Sequence, residues 1–446
     1  MSSSYGRQAL LLVLLAFVFF LITVVLLVTS ARGQEPTPSA EEWGQWQTPG
    51  HIAQGGMPSV ANSEAGGRDC WASESKSLRA RRHARSIDGL WRYTRVEGLF
   101  LGLELPREYD WDGWGLPILI WSHAGYGFSS KAWRYQLGLE RWFTAGKASD
   151  PAFRFTVGGE LHDLTESQDE WIIPTLENSL AAMLFKEDFH DYYRRTGASG
   201  YVEQEVMGQI TFRAEYRDDH FYNMPRRTNW ALFGGKKNFR PNPPIDEGHF
   251  RGAAGLLTLD TRDDRCAPEE GWFLQAVAEF YGRQVRSDRK FDRFILDVRR
   301  YQPLSHAENL DLRLRLGSAR GCLPEQFLFD LGGIGTLRGF RFKEFTGDRL
   351  FLGNVEYRLR AGRRDFPPFL FEQMNLILFF DIGSAWYAQD PSRPERGWKQ
   401  LSLTRLKSDF GIGISDRDGR VRISFAKRTD SASAPIVVTF RINREF

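Results

Sequence analysis

The chain has 446 residues, of which 14% are aromatic (34 Phe, 14 Trp) and 26% charged, with a formal net charge of +3. A mean hydropathy of −0.41 excludes a bundle of membrane helices, and so small a net charge gives no ground for a nucleic-acid partner. Three cysteines without a C-x-x-C pair make neither a disulfide framework nor a zinc site. Many aromatics beside abundant charge fit an all-β chain forming a transmembrane antiparallel barrel, where alternate strand residues face lipid and the lumen is polar.

In chain order, Ala9 to Thr29 form one apolar run behind Arg7, followed by the small residues Ala31 and Gly33. This reads as an export signal over residues 1–33, cut near Ala31 or Gly33. A permanent anchor is the alternative, because the run is long enough to span a bilayer. Residues 34–88 are rich in Gly, Ser, Pro and Glu without a sustained apolar period, and read as a flexible linker. The basic run Lys76 to Ser86 reads as a solvated tail or as a contact with anionic lipid head groups.

From residue 89 to 446 the pattern is that of a barrel domain. Trp133, Tyr135, Leu137 and Leu139 alternate with Arg134, Gln136, Gly138 and Glu140. Leu310, Leu312, Leu314 and Leu316 alternate with Asp311, Arg313 and Arg315, and similar two-residue periods recur to the last residue. The polar face repeatedly carries Arg, Glu and Asp, which suits a wet, charged lumen. About fourteen such strands can be drawn, with room for two more between Thr165 and Tyr201. An even total of about 16 (14 at the least) matches a closed bacterial barrel. Within that gap, Trp171 to Gly197 has apolar residues at helical spacing, including Leu180, Met183 and Leu184. This predicts a short amphipathic helix beside or within the barrel rim.

Connection lengths alternate. Asp416–Gly419, Asp264–Gly271 and Gln302–His306 are short; Asp218–Gly248, Ser318–Asp348 and Tyr387–Thr404 are long. If the first strand rises from the periplasm, the short connections are mostly periplasmic and the long ones extracellular. Cys266 and Cys322 then lie on opposite sides, too far apart for a disulfide.

Motifs of soluble catalysis do not occur. No H-E-x-x-H, G-x-S-x-G or phosphate-binding loop is present, and Gly333-Ile334-Gly335 lacks both the spacing and the βαβ context of a dinucleotide site. His162, Asp163 and Glu166 are expected to be a solvated rim. No metal, cofactor or enzymatic activity is expected.

The stretch from Phe329 to Arg360 carries the strongest signal. Gly332, Gly333, Leu337, Arg338, Gly339 and Phe340 form a glycine-rich R-G-F loop. A strand follows with Asn354, Glu356 and Arg358 on one face, and then comes Phe379-Phe380-Asp381-Ile382-Gly383. By counting along strands of about 9–11 residues, Glu356 and Asp381 fall at similar depth, both facing inward. The paired R-G-F and F-x-D-x-G motifs resemble the bacterial surface-antigen superfamily of outer-membrane barrels, which includes the BamA and TamA assembly factors and two-partner-secretion transporters. The resemblance runs from about Tyr93 to Phe446. It implies an extracellular loop folded into the barrel, with Arg338 locked on Glu356 and Asp381 and held there largely by those charges. One departure stands out: residues 34–88 are too few, and too poor in apolar residues, for the folded periplasmic POTRA modules of those relatives.

The expected role is therefore a non-enzymatic outer-membrane protein acting in protein or lipid insertion or transport, with outer-membrane lipids and client outer-membrane proteins as partners. Phe440, Ile442 and Phe446 would form the terminal signature read by the barrel assembly machinery. The alternatives are a passive pore or structural surface barrel and, further off, an inner-membrane-anchored enzyme with a large β-domain.

Overall fold

The computed structural model describes residues 87–107, 118–147, 150–360, 374–402, 404–444 and 446. The expected signal, and the linker up to residue 86, lie outside the described residues. The described chain is a transmembrane antiparallel β-barrel. Sixteen strands form one sheet in chain order, each bonded to the next.

The first eleven strands are β1 (Asp88–Thr94), β2 (Gly98–Leu105), β3 (Ile118–Gly127), β4 (Ala132–Lys147), β5 (Asp150–Ser167), β6 (Tyr192–Val206), β7 (Ile210–Asn223), β8 (Gly248–Asp260), β9 (Gly271–Tyr281), β10 (Phe291–Pro303) and β11 (Glu308–Gly321). Two short strands, β12 (Phe329–Leu331) and β13 (Phe345–Gly347), pair only with each other. The wall resumes with β14 (Arg349–Arg360), β15 (Met374–Trp386), β16 (Lys407–Asp416), β17 (Arg422–Arg428) and β18 (Val437–Arg441). The expected helix is α1 (Thr175–Phe185), between β5 and β6. Among the described residues no helix is long and apolar enough to cross a membrane; the crossing elements are strands.

The two-residue period is read out as two faces. Trp133, Tyr135, Leu137 and Leu139 of β4 are all exposed, while Arg134, Gln136 and Glu140 between them are buried. The same split runs through β2, β15 and β16, so the outer surface is an apolar band. Every second residue meets acyl chains, and the ladder satisfies the backbone polar groups that lipid cannot.

Antiparallel order puts the connections 168–191, 224–247, 322–348 and 387–406 at one end, and 207–209, 261–270, 304–307 and 417–421 at the other. The connections singled out from the sequence segregate as expected, but 106–117 and 361–373 lie at the end of the short ones, and 95–97 and 128–131 at the end of the long ones. Cys266 and Cys322 fall at opposite ends; Cys266 is disulfide-bonded and Cys322 is a free, exposed thiol.

Two expectations need correction. The last strand stops at Arg441, not at Phe446. The next backbone N–H, that of Ile442, donates to Glu177 at 2.9 Å and is thereby taken out of the sheet ladder. Nor are His162, Asp163 and Glu166 a solvated rim. All three are buried, with His162 2.9 Å from Asp219, Asp163 2.7 Å from Arg194, and Glu166 2.6 Å from Arg195. His162 and Glu166 lie on the inward face of β5 among the charges of β6 and β7, whereas Asp163, in register with exposed Tyr135, lies on the outer face under Arg194.

The inward face is organised in layers. One is ionic: Asp297 faces Arg299, Arg313 and Arg315 at 3.2, 2.5 and 2.6 Å, and Glu279 bridges Arg217 and Arg293 at 3.1 and 3.2 Å. Another is apolar, which a uniformly wet lumen would not contain. Ala254, Leu256, Val277, Ile295, Leu350 and Leu352 of the wall pack with Phe329, Leu331, Leu337 and Phe340 of the 322–348 segment. A third is aromatic: Tyr193, Phe221, Phe250, Tyr281 and Phe291 surround Phe327.

Because Leu161 is exposed opposite Leu137 in the apolar band, Leu161→Arg is expected to lower barrel stability by up to about 4 kcal/mol, the cost of a charge on the lipid face near mid-bilayer. A urea titration read by the heat-modifiable gel shift in lipid vesicles measures it.

Candidate functional site in the barrel lumen

The 322–348 connection folds back inside the barrel because its sequence supplies the conformations for it. Gly332, Gly333 and Gly335 have φ of 122°, 82° and 77°, a region that residues with a Cβ rarely enter. At each the neighbouring backbone is also too close for a side chain; a Cβ on Gly335 would stand 2.4 Å from the Ile172 carbonyl oxygen. The turn is stitched by Gly333 N donating to the Leu337 carbonyl at 2.9 Å and Gly332 N to Thr336 Oγ1 at 3.0 Å.

At the tip of this turn Arg338 is fully buried. Its Nε and Nη2 donate to the two oxygens of Asp381, each at 2.7 Å, and Nη1 donates to Glu356 Oε1 at 2.5 Å. Its guanidinium carbon stands 3.5 Å over the Phe379 ring centre. A planar cation with donors on two edges matches two carboxylates and an aromatic face at once, which a lysine could not do. The acids meet because Asp381 on β15 is in register with Asn354 on β14, two residues from Glu356 on the same face. Asn354 completes the link, with Nδ2 donating to Asp381 at 2.8 Å and to the Thr336 carbonyl at 2.9 Å.

The flanking residues seat the arginine. Leu337 and Phe340 enter the apolar layer, and Arg428 lies 4.3 Å over the Phe340 ring. Gly339 lies so close to β16 and β17 that a Cβ there would be 2.7 Å from Asp409 Cβ and 3.0 Å from Arg428 N. Gly383 is pressed against β14, where a Cβ would be 2.7 Å from the Phe351 carbonyl oxygen.

Two members of the cluster escape sequence reasoning. Arg422 on β17 donates to Glu356 at 2.9 Å. Asp409 on β16 is in register with Asp381 and fully buried against Gly339. Both alternate inward on their strands, a signal present in the sequence. Their depth depends on the stagger of strands that the sequence does not state.

The Arg338 cluster is one of several restraints on the loop. Besides the apolar layer, Lys343 reaches Asp169, Asp191 and Asp330 at 2.8, 2.7 and 3.0 Å. This second clamp lies beside a cavity of about 410 Å³ lined by Trp171, Arg240, Arg293 and Arg315 among others. Burial pushes the Asp191 carboxyl up, but Lys343, Arg240 and Arg95 outweigh it and hold it down at about 2. Of the three terminal residues singled out, only Phe440 stands on the last strand, exposed on the lipid face beside Val438; Ile442 and Phe446 follow its end. No group of His, Cys, Asp and Glu among the described residues could hold a metal ion.

The Omp85 superfamily domain matches residues 173–443. The C-terminal domain of a family of unknown function (DUF5686) matches residues 69–254. No curated protein matches. Among solved structures, BamA from Haemophilus ducreyi lacking POTRA domains 1–3 is similar at 14% identity and a TM-score of 0.50, covering 80% of this chain and 68% of that one. CdiB from Acinetobacter baumannii is similar at 10% identity and a TM-score of 0.38, covering 80% and 59%.

Arg338→Ala would leave Asp381 and Asp409 buried beside Glu356, which alone retains Arg422, and is expected to cost about 3–5 kcal/mol. The loop should nevertheless stay docked. Proteolysis between Gly321 and Asp348 should rise sharply only when Lys343→Ala is added, which limited trypsin digestion of vesicle-bound protein will measure. The Lys343 clamp should also respond to acid. A carboxyl whose pKa falls on folding stabilises the folded form above its ordinary value of 3.8, and the contribution is lost as pH drops toward about 2. A fluorophore on Cys322 should report loop loosening across that window, and Lys343→Met should abolish the step.

Proposed function

This chain belongs to the Omp85 superfamily, and from that premise we propose that it is a non-enzymatic outer-membrane barrel that inserts or moves proteins or lipids at the membrane. Residues 1–33 act as the export signal, 34–88 as a periplasmic linker and 89–446 as the barrel, with the long connections extracellular. The observation that carries the reading is Arg338, on a loop drawn inside the barrel, bound to Glu356 and Asp381 on adjacent strands. Such a strut ties β14 and β15 to the lumen contents through charge-assisted bonds. The wall around it stays rigid, so an opening would form elsewhere, at the seam where β1 and β18 carry no ladder between them among the described residues.

A passive pore is the second reading. It requires an open lumen, whereas here the apolar, aromatic and ionic layers of the interior are packed and Phe327, Leu337 and Phe340 are buried in them. That occupancy favours a gated barrel over a constitutive channel. Outer-membrane lipids and client outer-membrane proteins are the partners. Phe440, Ile442 and Phe446 serve as the signature through which the barrel assembly machinery inserts this chain.

Depletion of the protein is expected to lower the level of some other outer-membrane component, with little conductance from purified protein in planar bilayers. High steady conductance with an unchanged membrane proteome and lipid composition would favour the pore. Deleting Ile442 to Phe446 should abolish insertion, because it removes the terminal signature and the Ile442 N–H bond to Glu177; the fraction recovered from membranes reports it.

A further inference from the structure

Helix α1 is built the wrong way round for a helix in water. Its buried residues are Glu177, Asn178, Ser179 and Ala182. Leu176, Leu180, Met183 and Leu184, at spacings of four, three and one, lie on the opposite side and are only half-buried. A surface helix normally turns the apolar stripe inward; one with its polar side toward protein and its leucines outward suits contact with hydrocarbon.

Its contacts put it between the first and last strands. Near its N-terminus Glu177 accepts from Arg441 Nε at 2.9 Å, from Ile442 N at 2.9 Å and from Asn443 Nδ2 at 3.4 Å. Arg441 alternates with Phe440 and so lies on the lumen side of β18. Near its C-terminus Ala182 and Met183 pack on Tyr93 of β1. Tyr93 is in register with exposed Leu99, and Trp91 with exposed Leu101, which puts Tyr93 on the lipid-facing side of the wall. The helix thus passes from the lumen side of one free edge to the outer side of the other.

The 224–247 connection extends the same outer surface. Leu232 N and Phe233 N donate to the Met183 and Leu184 carbonyls at 2.9 and 2.8 Å, and Trp230, Leu232, Phe233 and Phe185 are all more than half exposed. This patch adjoins the apolar band of β1 and β2, where Trp91, Leu99 and Leu101 are exposed, and β18 contributes Val438 and Phe440 across the seam.

We propose that α1 is a stave of the barrel wall: it fills the seam between β1 and β18, its leucine stripe faces the acyl chains of the bilayer, and Glu177 latches it to the end of the last strand. Backbone groups inside a helix are satisfied within it, so the helix adds no unpaired group of its own to the seam and shields the two strand edges from acyl chains. It can also move without breaking a ladder: Glu177 ties it to the end of β18, while Asn178, bonded to Asp188, Tyr192 and Phe189, and the Met183 and Leu184 carbonyls tie it to its own connection and to 224–247. The inference holds whether or not the barrel handles clients.

The test uses the full chain with Cys322→Ser in vesicles, carrying a bimane label on Leu176→Cys, Leu180→Cys or Leu184→Cys. Val438→Cys serves as the lipid-facing reference and Ser179→Cys as the buried one. Each variant is first checked for the folded gel mobility, and the three stripe positions stand in for one another. Quenching by nitroxide-labelled acyl chains should match that at Val438→Cys, with little quenching by aqueous iodide. Iodide quenching without nitroxide quenching would place the helix in water. Protection from both would mean that protein, such as residues 34–86, covers it. Either result overturns the proposal. Glu177→Gln should then raise iodide access at Leu180→Cys, and unchanged access would remove the latch.

Discussion

Lipid offers no hydrogen bonds to a peptide backbone, and the structure follows from that constraint. A wall of sixteen antiparallel strands is one of the few ways for a chain with 26% charged residues to cross a bilayer. Pairing satisfies the main chain, and the two-residue period divides the side chains. Leucine and aromatic residues go outward, while arginine and carboxylates go inward, where they can remain only as partners of one another. The ion pairs of the lumen are thus a consequence of the wall. Asp297 among three arginines and Glu279 between two are what an inward face rich in charge must become once water is largely excluded.

A barrel of this width also needs filling. The 322–348 connection fills part of it, and its mixed chemistry matches the layers it crosses: Phe327 in the aromatic layer, Leu337 and Phe340 in the apolar one, Arg338 among acids. Anchoring is distributed. The Arg338 cluster lies at one point, the apolar packing spreads along β8 to β14, and Lys343 binds the far side of the loop to Asp169 and Asp191 beside α1. A loop held at three places, by two ionic clusters and an apolar layer, is part of the packed interior. The ladder runs unbroken from β1 to β18 in chain order and carries no pairing between those two strands among the described residues.

Much of this was legible before the fold was known. Alternation in β4 and β11 marked strands with one lipid face, connection lengths assigned ends, and counting residues put Glu356 and Asp381 at one depth facing inward. Other features were not. His162, Asp163 and Glu166 read as a solvated rim, because a polar cluster in a sequence gives no sign of the arginines on β6 that enclose it. Asp409 and Arg422 passed unremarked for a similar reason, since many residues alternate inward and only strand stagger selects those that meet Arg338.

Local sequence determined what each residue would prefer: which strand face turns to lipid, where a glycine-rich turn reverses the chain, and that Leu180, Met183 and Leu184 share a helical face. These depend on periods of two and 3.6 residues, which are properties of short segments. Only the tertiary structure decided what lay opposite each face. The helix could be recognised from its spacing, but its polar side turned out to be the buried one. The inward strand face, read as uniformly wet, carries an apolar layer wherever Leu337 and Phe340 arrive to cover it. Whether a face is inside or outside is settled by partners brought from 100 or more residues away, as Glu177 is by Arg441, and such distances leave no trace in a local pattern.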